Sequence, residues 1–144
     1  MKKAYSLIEI MIVIALIGAL LMIAAPKYKN FIAKTRRVEA QINLHNIYAI
    51  EQSFWAENGR YTADLNELDW RPEGKPKYSY GFVGQENKNY FVGSMKTMAI
   101  PSQCTANTDS FTACALADID GDGKFDILTI NQNNELIIIS DDLK

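Results

Sequence analysis

The feature that most limits what this chain can become is an unbroken apolar run, Ile10 to Ala25. It is preceded by Met1-Lys2-Lys3-Ala4 and then Tyr5-Ser6-Leu7-Ile8-Glu9. As a helix, the sixteen residues of the run measure about 24 Å, short of the roughly 30 Å hydrocarbon core of a bilayer. Started at Tyr5, the segment has twenty-one residues and reaches about 32 Å, enough to span. A full span must therefore take in Glu9, with Lys2 and Lys3 holding its start on the cytoplasmic side. A secretory signal peptide fits poorly. A cut after Ala25 would leave Pro26 beside the scissile bond, a cut after Ala24 would put Met22 at the other specificity position, and Glu9 interrupts the apolar region. A lipoprotein signal needs a cysteine just after the run, and none is there. A plain membrane anchor gives Glu9 no role, and a stripe apolar on every side is too long for a small domain to enclose.

The chain has 144 residues and a formal charge of −2, which suits one domain with a modest core and gives no global sign of nucleic-acid binding. Charge is unevenly spread. Residues 26–57 carry five basic and three acidic side chains, residues 58–144 eight basic and thirteen acidic ones, a weakly basic stalk and an acidic head. Helical character continues past Pro26 to about Asn58, where Ala40, Leu44, Ile47, Ile50 and Phe54 recur at three- and four-residue steps. Tyr48 and Trp55 widen the stripe, and Lys34, Arg36, Arg37 and Glu39 are expected to face outward. Pro26 lacks an amide for the carbonyl of Met22, so a kink or local opening is expected there, with Gly18 as a second weak point. Asn58-Gly59 is a helix stop. Arg60–Leu68 reads as a turn and a short helix with Thr62 as its candidate cap.

Strand-like runs follow at Tyr78–Val83, Tyr90–Met95, Phe111–Ala117, Asp126–Asn131 and Glu135–Ser140, with a hairpin turn at Asn131–Asn134. A helix first and strands afterwards predict an α+β fold: a long N-terminal helix whose second half packs on an antiparallel sheet. The expected division is residues 1–4 as a leader, 5–25 as an apolar helix, 26–58 as its amphipathic continuation, and 59–144 as the head.

The two cysteines, Cys104 and Cys114, lie eleven positions apart counted inclusively. They suggest one disulfide closing a small loop and hence an oxidising compartment; two unconnected thiols are the alternative. With His45 as the single histidine, a zinc site is disfavoured.

Asp118-Ile119-Asp120-Gly121-Asp122-Gly123-Lys124-Phe125-Asp126 is the chemically richest stretch. Carboxylates at alternate positions, a glycine for the sharp turn, the Lys124 carbonyl and a further carboxylate match the start of a calcium loop. The position of the last bidentate ligand falls on Thr129, and strand-like flanks place the loop between two strands. Structural Ca2+ held by Asp118, Asp120, Asp122, Lys124 and Asp126 is one reading; a metal-free Asp/Gly turn is the other. No organic cofactor is indicated.

Residues 4–28, Ala-Tyr-Ser-Leu-Ile-Glu through the apolar run to Ala-Ala-Pro-Lys-Tyr, closely resemble the N-terminus of type IV pilins. The resemblance rests on a short basic leader, an aromatic start, a lone glutamate, a glycine and a late proline in that order. Arg60–Leu68 and Asp126–Asn134 resemble pilins more loosely. The resemblance implies cleavage between Ala4 and Tyr5 by prepilin peptidase and N-methylation of Tyr5, making Glu9 the fifth mature residue. Ala4 stands where the family usually has glycine. It also implies a membrane-held precursor, the inner-membrane assembly machinery as a partner, and polymerisation with other copies into an extracellular fibre.

An ionised carboxylate within a membrane helix costs on the order of 2.5–3.5 kcal/mol at the helix centre, and cleavage supplies a partner for it. Two unit charges roughly 4 Å apart at an effective dielectric near 20 attract by about 4 kcal/mol. The pair between the Tyr5 amine and Glu9 of a neighbouring subunit would set the axial stagger; a pair within one helix is the alternative. A minor pilin or a type II secretion pseudopilin is the second functional reading. An electron-conducting fibre would need an aromatic chain, but most of its members fit core packing equally well. No nucleic acid is expected, since an acidic head disfavours phosphate. No nucleophile–base arrangement is present, and catalysis is not expected.

Overall fold

The computed structural model describes residues 5–143. They fall into two compact units, one ending at Ile32 and one beginning at Ala33. The first unit is helical from Leu7, the start of helix α1 (Leu7–Asn58), and the chain stays helical through Gly18 and Pro26. Its most apolar stretch is long and apolar enough to cross a membrane, and none of it is buried in the chain itself. Leu7 and Met22 are more than four-fifths exposed, at 83% and 82%.

In the second unit, α1 lays one stripe over a sheet. Ala40, Leu44 and Ile47 are fully buried, while Tyr48, Ile50 and Phe54 pack at the margin of the same core. Lys34 is exposed as expected. Arg36, Arg37 and Glu39 are not turned to solvent. Arg36 donates to the carbonyl of Ile119 at 2.6 Å, Arg37 to Asp126 and Asp141, and Glu39 accepts the amide of Lys77 at 2.9 Å. The physical reason is that the head offers each of them a polar partner, which exposed water would otherwise supply. His45 lies on the exposed surface, a ring nitrogen 2.8 Å from the carbonyl of Gln41.

Gly59 at φ +69° stops the helix, its amide donating to the carbonyl of Trp55 at 2.8 Å, a bond that satisfies one of the orphan carbonyls at a helix end. The short helix expected after it is instead a run of turns. Thr62 Oγ1 accepts the amide of Asp64, but Asp69 at φ +49° reverses the chain, and the amide of Trp70 bonds back to Leu65.

Five antiparallel strands follow: β1 (Ser79–Gly81), β2 (Tyr90–Phe91), β3 (Thr112–Ala117), β4 (Asp126–Asn131) and β5 (Leu136–Ser140), in the order β2-β1-β3-β4-β5. The first two are shorter than their sequence pattern suggested. At Gly93 the amide goes to the Ser79 hydroxyl at 2.9 Å rather than to the ladder. At Gly81, φ +133° and the carbonyl of Asn89 2.3 Å from where a Cβ would sit leave room for glycine alone. The β4–β5 turn forms at Asn131–Asn134 with Asn134 at φ +61°.

Strand β3 is buried on both faces. Ala113, Ala115 and Ala117 join the core beneath α1, where small side chains allow close approach, while Cys114 and Leu116 pack with Cys104, Ile100 and Ile127 on the far side. Cys104 and Cys114 form the expected disulfide, with Cα atoms 5.7 Å apart. Period-two alternation puts Asp126, Leu128 and Ile130 of β4 on one face, and Leu128 and Ile130 belong to the core beneath the helix.

Candidate functional site

Two places carry the sequence's candidate residues. At the start of α1, Ala4 lies outside the described residues. Tyr5 is 79% exposed. Ser6 caps the helix: its hydroxyl accepts the amide of Glu9, and the Glu9 carboxylate accepts the amide of Ser6, both at 3.3 Å. This reciprocal pair is a capping box, which satisfies two otherwise orphaned donors. Glu9 thus has a local partner that reading it only as a charge in an apolar run had missed. The Ser-x-x-Glu spacing was the available signal.

The second place is the loop between β3 and β4. Asp118 is buried and accepts the amides of Gly121 at 2.7 Å and Gly123 at 3.1 Å. Asp120 accepts the amide of Asp122, and Asp122 accepts that of Lys124. Gly121 and Gly123, at φ +88° and +93°, give the backbone the left-handed turns this winding needs. The Lys124 ammonium stands 3.8 Å from Asp122, exposed on the loop.

Asp126 does not join the loop carboxylates. It is wholly buried and accepts Arg37 Nε at 2.9 Å, a second bond from Arg37 Nη2, the Tyr78 hydroxyl at 2.7 Å and the amide of Asp142 at 3.3 Å. Its alternation within β4 turns it toward the helix, so the guanidinium takes it. Burial works against the charge of Arg37, yet the bonds and charges of Asp126 and Asp141 outweigh burial and raise its pKa above the ordinary value. Burial, with the neighbouring Asp126 charge, likewise pushes the Tyr78 hydroxyl up.

In place of Asp126 the fold brings Asp142 to the loop. Asp118, Asp120, Asp122 and Asp142 each offer a carboxylate oxygen, and these oxygens all lie within 4.8 Å of one another. Asp142 Oδ2 accepts the amide of Ile119 at 2.9 Å. Burial first, and then the charges of Asp120, Asp122 and Asp118, raise the Asp142 carboxyl above its ordinary value. No signal local to the loop pointed to Asp142, since the contact joins segments more than twenty residues apart.

Several characterised proteins are similar to this chain. It is 40% identical over 122 residues to the type IV major pilin protein PilA of Myxococcus xanthus, a match covering 83% of this chain and 54% of that protein. It is 37% identical over 92 residues to a fimbrial protein of Moraxella nonliquefaciens, covering 61% of this chain and 58% of the relative. Over 36 residues, 25% of this chain and 23% of the relative, it is 50% identical to the type IV major fimbrial protein FimA of Dichelobacter nodosus. The chain spans somewhat more than half the length of the first two of these relatives. No protein-family profile matches. The described residues run as one long N-terminal helix and then a five-stranded antiparallel sheet, an α+β order, and on the sequence matches the chain belongs with the type IV pilins.

Proposed function

We propose that this chain is the structural subunit of a type IV pilus, cleaved after Ala4, N-methylated at Tyr5, and polymerised through its apolar N-terminal helix into an extracellular fibre for adhesion, motility or uptake. One observation carries the reading. The apolar helical stretch, with Glu9 at its start, is not buried anywhere in its own chain. An apolar surface of that size has to be covered, first by lipid and then by identical helices. The membrane holds the precursor, prepilin peptidase exposes the Tyr5 amine, and the inner-membrane assembly machinery extracts the subunit into the filament. Within that filament the amine pairs with Glu9 of a neighbour.

The names of the relatives support a fibre subunit, and the Cys104–Cys114 bond fits a head that matures outside the reducing cytosol. The reading includes no catalytic role and no nucleic-acid partner. Mass spectrometry of the chain recovered from sheared surface filaments tests it. The expected terminus is Tyr5 carrying one added methyl group. An intact Met1, or a terminus near Pro26, overturns the processing scheme, and absence of the chain from such filaments overturns the function.

A further inference from the structure

We propose that Asp118, Asp120 and Asp122 of the β3–β4 loop, together with Asp142 of the C-terminal segment, form a single divalent-cation site that takes calcium and fastens that segment to the loop. The proposal concerns the folded head and stands whether or not the chain polymerises.

The first observation is the convergence itself, four carboxylate oxygens within 4.8 Å of one another. Side-chain-to-backbone turns account for the three loop aspartates, which each accept amides of the loop. They do not account for Asp142, which arrives from beyond β5. The second observation is independent of the loop. Asp142 is only 4% exposed, and while its Oδ2 is bonded to the Ile119 amide, its Oδ1 is buried with no hydrogen-bond partner. Buried carboxylate oxygens nearly always have a donor or a cation. Here the nearby groups of the cluster are themselves carboxylates, which can donate nothing when ionised. A cation satisfies the orphaned oxygen and relieves the mutual repulsion of the four together.

The donor set selects the ion. It consists of oxygens alone, without histidine or thiolate, which favours hard cations over zinc or copper. A loop with its carboxylates at uneven depth, two exposed and two buried, suits the variable coordination of calcium better than the strict octahedron of magnesium. Through Asp142 the ion would also reach the helix. The amide of Ile119 binds Asp142 while its carbonyl accepts Arg36, and the amide of Asp142 binds Asp126, the partner of Arg37. Loop, C-terminal segment and stalk helix thus share one set of bonds.

The test uses the full chain in detergent micelles, stripped with EDTA and titrated with calcium chloride by calorimetry, with thermal melts alongside. One calcium per chain is expected, with a rise of about 5 °C or more in Tm at calcium roughly a hundredfold above the dissociation constant. Asp120→Asn and Asp142→Asn should each weaken binding by at least about tenfold, and magnesium should bind at least about tenfold more weakly than calcium. Amide hydrogen exchange on the unaltered chain provides a readout that survives misfolding of any variant. Calcium should slow exchange at Ile119 and Asp142 as well as within the loop. An unchanged Tm with no binding heat overturns the site, as does Asp142→Asn binding calcium like the unaltered chain. Slowing confined to residues 120–124 removes Asp142 from it, and magnesium binding as tightly as calcium overturns the choice of ion.

Discussion

Arg37 on α1 and Asp126 at the start of β4 lie 89 positions apart in sequence and meet through two hydrogen bonds, with Asp126 wholly buried and the Arg37 side chain 12% exposed. Tyr78 of the segment leading into β1 donates to the same carboxylate, and Asp141 accepts from the same guanidinium. Helix, sheet and C-terminal segment therefore converge on one charged group. A planar fork bonded this way fixes the rotation of the helix about its axis more sharply than the apolar stripe beside it can.

Removing the cation alone should be severe. Arg37→Met leaves Asp126 buried and charged without its main partner, and the expected loss is about 3–5 kcal/mol. Arg37→Lys, which keeps charge but loses the fork, should recover less than half of that. Arg37→Met combined with Asp126→Leu removes both charges and should be more stable than Arg37→Met alone. Denaturant midpoints of the three variants in detergent check the ordering, and a double variant no better than the single one would show that the pair contributes chiefly through packing.

Glu51 predicts a pH dependence. It is fully buried on α1, one carboxylate oxygen has no hydrogen-bond partner, and the other accepts the amide of Thr62 at 3.3 Å. Burial outweighs that amide and pushes the carboxyl from 4.5 up to about 7. The folded state therefore holds a proton that the unfolded state has already released. Stability from this group is full below the ordinary carboxylate range and falls as pH rises toward 7, by about 3 kcal/mol as an upper figure. Glu51→Gln should flatten that fall and exceed the unaltered chain in stability at pH 8. Denaturant midpoints at pH 5 and pH 8 measure both effects.

What the sequence disclosed and what it concealed divide along the range of the interactions. Periodicity found the stripe of α1, and short runs of strand-forming residues bounded by turn signals found all five strands, because both depend on neighbours only a few residues away. The disulfide followed from spacing in a short polar segment. Glu51 was hidden because it stands seven residues after Leu44, on the buried stripe itself, where an apolar residue would ordinarily be read. Arg37 and Glu39 were placed outward because a charge is normally solvated, and only the folded sheet supplies their partners. Asp126 fits the local loop pattern, yet its alternation in β4 turns it toward the helix, and Asp142 takes its place beside the loop aspartates. The strands ended early where Ser79 intercepts the Gly93 amide, a side-chain competition that β-propensity does not register.

The disulfide should matter to the far face of β3. Cys114 sits opposite Gly81 and Thr129 in the sheet, and the carbonyl of Cys104 accepts the amide of Val83 at 2.7 Å. The bond therefore ties the segment after β2 to the middle of β3. Replacing both cysteines with alanine should lower stability by about 2–3 kcal/mol through the lost loop constraint. Chemical reduction of the unaltered chain should reproduce most of that loss, since Leu116, Ile100 and Ile127 still pack there. Paired melts of the oxidised, reduced and alanine forms test the point.

Glu9 has one role seen in the fold, the capping box with Ser6, and one proposed role in assembly, and substitution can separate them. As the far member of a capping box it needs an acceptor that reaches the Ser6 amide, and glutamine serves there nearly as well as glutamate. As the proposed partner of a Tyr5 amine on a neighbouring subunit it would need a charge, and glutamine has none. Glu9→Gln should leave the start of α1 intact, with exchange of the Ser6 amide little changed in micelles, while filament yield falls at least about tenfold, the loss of a charge pair worth somewhat over 1.4 kcal/mol. Ser6→Ala should do the reverse, fraying the first turn by about 1 kcal/mol while sparing assembly. Glu9→Leu should lose both. Glu9→Gln subunits that polymerise as readily as the unaltered chain, while Ser6→Ala subunits fail, would assign the glutamate to the helix start alone and leave the cut amine without its proposed partner.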